Sequence, residues 1–455
     1  MRVLWLCNVM LPVFAKAHGL PYTNREGWLS GCYERMTEEW EQHAENGEPS
    51  ERDIVLGVCF PASHSMGEFR EEQGKVLFYG FQENLDTPEV YDSSLEKRFQ
   101  EVLKDFRPDI VHIFGTEFPH TLAMIKAFHH PEKTLLGIQG LCCIIAEKYM
   151  ADIPETVQNK ATLRDRLRKD SLIEQQDKYR RRAGMENESI KMVGHITGRT
   201  DFDRLTTEQI NPNAVYHHMN ETMRSCFYSQ EQWKKENCKP YSIFMAQGDY
   251  PLKGLHYMLQ AMPKLLSRYP TAHLYVAGNS IIGKADRRTV QVRGDSSSQE
   301  KGSRYPLFIR ISAYGKYLKF LIAQNHLRRH VTVLGKLSAE QMKEQYLKCS
   351  VFVCPSAVEN SPNSVGEAML MGVPVVAART GGIPSMIEEN RDGILYEPGN
   401  VSELTDAVFQ IWDEAVISCV YGENARKHAC KTHDPNLNYA RLIEIYRALC
   451  AANGV

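Results

Sequence analysis

Short apolar runs, each followed by a stretch of helical character, recur along this chain, and that alternation leaves few architectures open. In the first half the runs are Val3 to Cys7, Asp53 to Phe60, Val76 to Phe81, Asp109 to Phe114, Leu135 to Gln139 and Met192 to Thr197. In the second half they are Ser242 to Ala246, Ala272 to Ala277, Val331 to Leu334, Val351 to Cys354, Pro374 to Ala377 and Gly393 to Tyr396. Runs of this kind read as strands buried on both faces. Strand–helix alternation implies parallel sheets covered by helices. Two such series predict an α/β protein of two doubly wound, Rossmann-like domains. The length of 455 residues, too great for one ordinary core, agrees. The polar stretch Lys234 to Pro240 marks the boundary, which places the domains at 1–235 and 236–435. The closing segment, 436–455, is predicted to contain a helix with Leu442, Ile443, Ile445, Tyr446 and Leu449 on one face.

The opening run needs separating from a secretory leader. Asn8 and Pro12 interrupt it and no small-residue cleavage site follows, so it reads as a first strand. No apolar run approaches the roughly eighteen residues of a spanning helix. A net charge of −2 gives no global electrostatic case for nucleic acid. Twelve cysteines without a CxxC pair argue for reduced thiols in a cytoplasmic protein, with neither a disulfide framework nor a zinc site. Two segments break the alternation. Gly283 to Pro306 reads as a surface loop. Lys160 to Arg182 is dense in Lys and Arg, with Leu163, Leu167 and Leu172 among them. It reads either as a helix touching anionic lipid at the inner face of a membrane or as a solvated face balanced by its own acids.

Chemistry concentrates in residues 351–400. Glu359 falls in the loop after the strand Val351 to Cys354, and Glu367 falls near the start of a short helix with Ser361 as cap, Pro362 in its first turn and Gly372 past its end. In open parallel sheets ligands bind beyond the carboxyl ends of strands, where helix amino termini offer N–H groups to phosphate. Carboxylates there accept hydrogen bonds from sugar hydroxyls. Ser364 to Glu367 also fits a capping box, a purely structural device. Lys253, in QGDYPLKGLHYML, follows the first strand of the second half and can neutralise a diphosphate as a mobile point charge.

These residues resemble the donor site of retaining GT-B glycosyltransferases of family 4, also called glycosyltransferase group 1. The signature E-x7-E runs here from Glu359 to Glu367, E-A-M-x-x-G-x-P-V-V from Glu367 to Val376, then Gly381-Gly382 and DGILYEPGN from Asp392 to Asn400. The resemblance implies a GT-B fold with two domains facing a central cleft, the acceptor in the first domain, the nucleotide sugar in the second, and a last helix crossing back to the first. It assigns the ribose to Glu367 and the transferred sugar to Glu359, with Asn363, Ser364 and Val365 lining the diphosphate turn and Lys253 on the diphosphate. The reaction implied is transfer of a sugar, most often from a UDP-sugar, to a hydroxyl of a glycan or lipid-linked acceptor with retained anomeric configuration. No Asp-x-Asp motif is present, so neither a metal nor a further cofactor is expected.

The chain departs from the family pattern in places. Gly248 stands where the family has an arginine, so either another base compensates, with Arg199, in GRTDFDR, and Arg379 as candidates, or the backbone turn does more. Glu26 replaces the first glycine of a pair, leaving Gly27 and Gly31 for close approach of backbone to ligand. Phe114 replaces a histidine, which leaves Glu117 and His120 as polar candidates at the strand's exit and His112 as a core histidine. Gln139 replaces another histidine and is expected to bond sugar. GTEFPH, IQGL, GRTDFDR and ENSPNS together resemble a bacterial subgroup that builds surface polysaccharides. Two readings compete with transfer: a GT-B epimerase acting on the sugar nucleotide alone, and a non-catalytic nucleotide-sugar-binding subunit.

Overall fold

The computed structural model describes residues 1–20, 27–45, 54–63, 65–278 and 311–452; Glu26 and the loop expected at Gly283 to Pro306 lie outside them. The chain divides into two compact units. The first comprises Met1–Ala146, Lys178–Arg224 and Thr432–Val455, the second Glu147–Asp177 and Ser225–Lys431. The change of unit at Arg224 thus precedes the polar stretch Lys234 to Pro240, and residues 147–177 join the second unit from within the first half.

The first unit holds an eight-stranded sheet: β1 (Arg2–Cys7), β2 (Val55–Pro61), β3 (Phe69–Gln73), β4 (Val76–Phe81), β5 (Ile110–Phe114), β6 (Thr134–Gly137), β7 (His195–Gly198) and β8 (Val215–His218), in the order β3-β4-β2-β1-β5-β6-β7-β8. The opening run is central, paired in parallel with β2 and β5, and Val3 to Cys7 are wholly buried. A strand covered on both faces needs a continuous apolar run, which this one has. The edge strands lack that signal and escape the sequence reading. β3 is FREEQ, antiparallel to β4, and β8 is VYHH with no fully buried residue. β7 starts at His195 rather than Met192 because the helix Leu172–Lys191 runs up to it.

The helix Pro435–Ala452 packs in the first unit's core. Leu442, Ile445, Tyr446 and Leu449 are buried there with Trp5 and Phe114. Trp5 Nε1 donates to Tyr446 Oη at 2.9 Å, and that hydroxyl lies 2.7 Å from His112 Nδ1. Burial lowers the His112 pKa to about 3. It is therefore a neutral core histidine.

The second unit holds β9 (Ser242–Met245), β10 (His273–Ala277), β11 (Val331–Gly335), β12 (Val351–Cys354), β13 (Val375–Ala378) and β14 (Ile394–Tyr396), all parallel, in the order β11-β10-β9-β12-β13-β14. β9 and β12 are central neighbours, and the order reverses between them. The loops that leave their carboxyl ends, one carrying Lys253 and the other Glu359, therefore emerge side by side. Lys160 to Arg182 is not one helix. It is divided between Leu163–Arg168 and the start of Leu172–Lys191. Among the described residues no helix is long and apolar enough to cross a membrane.

Candidate functional site

In the second unit Lys253 Nζ donates to Glu359 Oε1 at 2.6 Å, and Ser356 Oγ donates to the same oxygen at 2.7 Å. Both charged side chains are mostly buried, 17% and 12% exposed. Burial opposes the ammonium's charge, but the field and hydrogen bond of Glu359 raise the Lys253 pKa above the usual lysine value. The pair is held by backbone. Gly254, at φ +69°, lets the lysine loop touch Pro355: a β-carbon there would lie 1.8 Å from the Pro355 carbonyl oxygen. Ala357 N–H donates to the Leu252 carbonyl at 2.7 Å. On the far side Gly381, at φ +53°, presses equally close to the Glu359 carbonyl, which accepts from Gly382 N–H at 3.0 Å. The three loops thus interlock around Glu359.

Glu367 lies in the helix Asn363–Leu370, 5% exposed, and its Oε2 accepts from Tyr346 Oη at 3.2 Å. The same hydroxyl is 3.1 Å from the Ser364 carbonyl. Tyr346 is a partner the sequence did not reveal, and it replaces the capping box considered for Ser364 and Glu367. The expected cap at Ser361 is also corrected: Pro362 is the cap residue and offers no side-chain bond, so the first amides of this helix are not capped by a side chain. Gly372 follows the helix at φ +74°, as expected. Asn363 Oδ1 is a buried acceptor without a protein partner, and Val365 in the same turn of helix is buried.

A β-carbon at Gly248 would lie 2.8 Å from Leu255 Cδ2 and 2.9 Å from Val276 Cγ1, so a longer side chain there requires those two side chains to shift. The position is a packing contact, not an empty place for a base. Arg379 is engaged by Glu389 at 2.5 Å and Glu397 at 3.2 Å. Glu388, Asp392 and His428 bring ligand atoms within 4.8 Å of one another. Asp392 already serves the protein, accepting from Glu388 N–H at 2.8 Å and lying 2.7 Å from His428 Nδ1. Its hydrogen bond raises the His428 pKa against the opposing effect of burial.

The first unit carries the remaining candidates, and they are bound to protein rather than open. Arg199 Nη1 is ion-paired with Glu221 Oε1, which also accepts from Gln139 Nε2 at 3.2 Å. Burial pushes the Glu221 pKa up to about 7, with Arg199 and Gln139 pulling it back. Arg199 was expected as a base for phosphate; here its charge is met by a carboxylate. His120 is wholly buried, with Nδ1 2.7 Å from Glu83 Oε2 and Nε2 2.9 Å from Asn8 Oδ1, so it braces the loop after β1 instead of lining a surface. Glu117 is part-buried beside Asn8 at 3.4 Å, and burial raises its pKa. The space that Gly27 leaves is filled by the Arg224 side chain, and that at Gly31 by the Met223 carbonyl. Glu186, missed in the sequence, is buried where Thr116 Oγ1 (2.6 Å) and the amides of Cys142 (2.9 Å) and Cys143 (3.1 Å) donate to it. It ties the GTEFPH and IQGL loops together, and burial lifts its pKa to about 7.

Residues 229–428 match the family model for glycosyl transferases group 1. Among curated proteins the chain is 29% identical over 198 residues to D-inositol 3-phosphate glycosyltransferase of Corynebacterium urealyticum, covering 44% of this chain and 41% of that one. It is 35% identical over 100 residues to sulfoquinovosyl transferase SQD2 of Arabidopsis thaliana, covering 21% and 20%. The chain thus spans less than half the length of these relatives. Among solved structures, sucrose-phosphate synthase from Thermosynechococcus elongatus superposes with a TM-score of 0.67 at 12% identity, over 99% of this chain and 100% of that one. Anabaena HepE in complex with UDP-glucose gives 0.63 at 14%, over 98% and 100%. At such identities these likenesses bear on the fold, two parallel-sheet α/β domains of GT-B type.

Proposed function

From the premise that the second unit carries a glycosyl transferases group 1 domain, we propose that this chain moves a sugar from a nucleotide-diphosphate sugar, UDP-sugar first, to a hydroxyl of a glycan or lipid-linked acceptor. The observation that carries the reading is the Lys253–Glu359 pair at 2.6 Å beside the uncapped start of the helix that bears Glu367. As the donor's bond to phosphate lengthens, negative charge grows on the diphosphate and positive charge on the sugar. The Lys253 ammonium and the first amides of the helix Asn363–Leu370 favour the former. Glu359 faces the latter and orients sugar hydroxyls, the Asn363 acceptor takes a further hydroxyl, and Glu367 holds the ribose. Configuration is retained when the acceptor oxygen bonds to the anomeric carbon on the face from which the diphosphate departs, and the departing phosphate oxygen takes the acceptor's proton, which needs no side-chain base. No metal enters this route. HepE solved with UDP-glucose supports a uridine nucleotide as the first donor to try. Twelve free thiols favour a reducing compartment, and the subgroup motifs favour surface-polysaccharide synthesis.

The test is a melting-temperature screen of UDP-, GDP- and ADP-sugars followed by turnover with and without a lipid-linked acceptor. A nucleotide sugar that binds only the folded chain raises its melting point. No shift from any of them overturns the reading, and conversion of the donor without an acceptor points to an epimerase instead.

A further inference from the structure

The helix Leu163–Arg168 in the second unit is turned inside out. Its buried residue is Asp165, 0% exposed, while Leu163 and Leu167 are 55% and 69% exposed. The two leucines lie four residues apart on one face, and Asp165 lies on the opposite one. A surface helix ordinarily buries leucine and exposes aspartate. Here the carboxylate enforces the reverse. Asp165 Oδ2 accepts from Thr162 N–H and from Ala313 N–H, both at 2.9 Å, and Oδ1 accepts from Arg164 Nη1 at 3.0 Å. Arg164 is also held by Asp170 at 2.8 Å. From Asn159 to Lys169 the exposed charges are Lys160, Arg166, Arg168 and Lys169, all positive, and the stretch has no exposed acid.

We propose that this turn docks the chain on an anionic lipid surface, with Leu163 and Leu167 entering the boundary between headgroups and acyl chains and the four cations meeting lipid phosphates. Charge and apolarity must both be satisfied by the partner. A soluble polyanion matches the cations and leaves the leucines in water; a second copy placed on the same face covers the leucines but sets cation against cation. An anionic bilayer answers both. The inference stands apart from the transfer reaction, so either can fail without the other.

Sedimentation of the full chain with vesicles tests it. The chain is expected to pellet with phosphatidylcholine vesicles containing phosphatidylglycerol and to stay in solution with phosphatidylcholine alone. The double variant L163S/L167S should lose about tenfold or more in vesicle binding. R166Q/R168Q/K169Q should lose roughly fivefold for each charge at low salt. All five side chains are exposed, and an unchanged melting temperature verifies that the variants fold. Failure of the full chain to pellet with the anionic vesicles overturns the proposal. So does pelleting of L163S/L167S as strong as that of the parent, which would mark a polyanion-type charge contact only.

Discussion

In the second unit an ammonium and a carboxylate meet in the loops beyond β9 and β12; in the first a guanidinium and a carboxylate meet beyond β7 and β8. Both are base–acid pairs at the carboxyl ends of parallel strands, yet they are built for different work. Lys253 and Glu359 keep 17% and 12% of their side-chain surface, whereas Arg199 and Glu221 keep 8% and 2%. Lys253 is a point charge on a flexible stem, able to leave one anion for another. Arg199 is fixed further, since its backbone N–H donates to Asp203 at 3.1 Å and the Glu221 carbonyl lies 2.8 Å from His433 Nδ1. The Arg199–Glu221 pair is the more deeply buried and the more firmly held, and the proposed function gives the ligand to the Lys253–Glu359 pair. Position at a strand end is therefore not enough to mark a site; the residual exposure and the stiffness of the base separate the two.

Substitutions can break that contrast. Removing one partner of the stiff pair, in R199A or E221A, should cost about 3–5 kcal/mol of stability in denaturant unfolding, with donor affinity of the folded fraction unchanged. If R199A instead left stability intact and weakened donor binding, the two pairs would have to exchange roles. K253A should lower turnover by about a hundredfold to a thousandfold while its melting temperature moves less than that of R199A; undiminished turnover would remove Lys253 from the reaction. E367A should weaken donor binding by about tenfold or more, in line with hydrogen bonds to a charged group, which calorimetry with the nucleotide sugar would measure. The smallest effect belongs to a pair with one open and one buried partner, His428 and Asp392, at 28% and 2%. The folded His428 pKa lies above its unfolded value of about 6.5. Its stabilisation is therefore complete below that value and lost as pH rises through the folded pKa. H428N should be less stable than the parent near pH 6 by about 1 kcal/mol at most, and the gap should close near pH 9.

The resemblance assigned both Lys253 and Glu359 to one donor site, and the sheet order gives the physical reason they meet: two apolar runs that become central neighbours bring their following loops together across 106 positions of sequence. Arg199 was found but its partner was not. Glu221 follows an edge strand, VYHH, whose sequence carries no apolar pattern. Without that strand nothing placed Glu221 near the end of β7. For Leu163 and Leu167 the sequence leaves a lipid-touching helix and a solvated face both open, and it carries no sign of the neighbouring helix amide at Ala313 that captures Asp165. Gly248 shows a related limit: the sequence marks a missing arginine, but only the structure shows that Leu255 and Val276 pack against that position.

The helix Pro435–Ala452 fills a gap in a core whose other walls are made of residues from the start of the chain, with Tyr446 seated between Trp5 and His112. On the ribosome, β1 and its neighbours therefore wait with Trp5 and Phe114 uncovered until the whole of Ser225–Lys431 has been made and can already have folded. The earlier-made sheet is the later one to be completed, and over that interval the nascent chain presents an apolar seam that a chaperone is suited to shield.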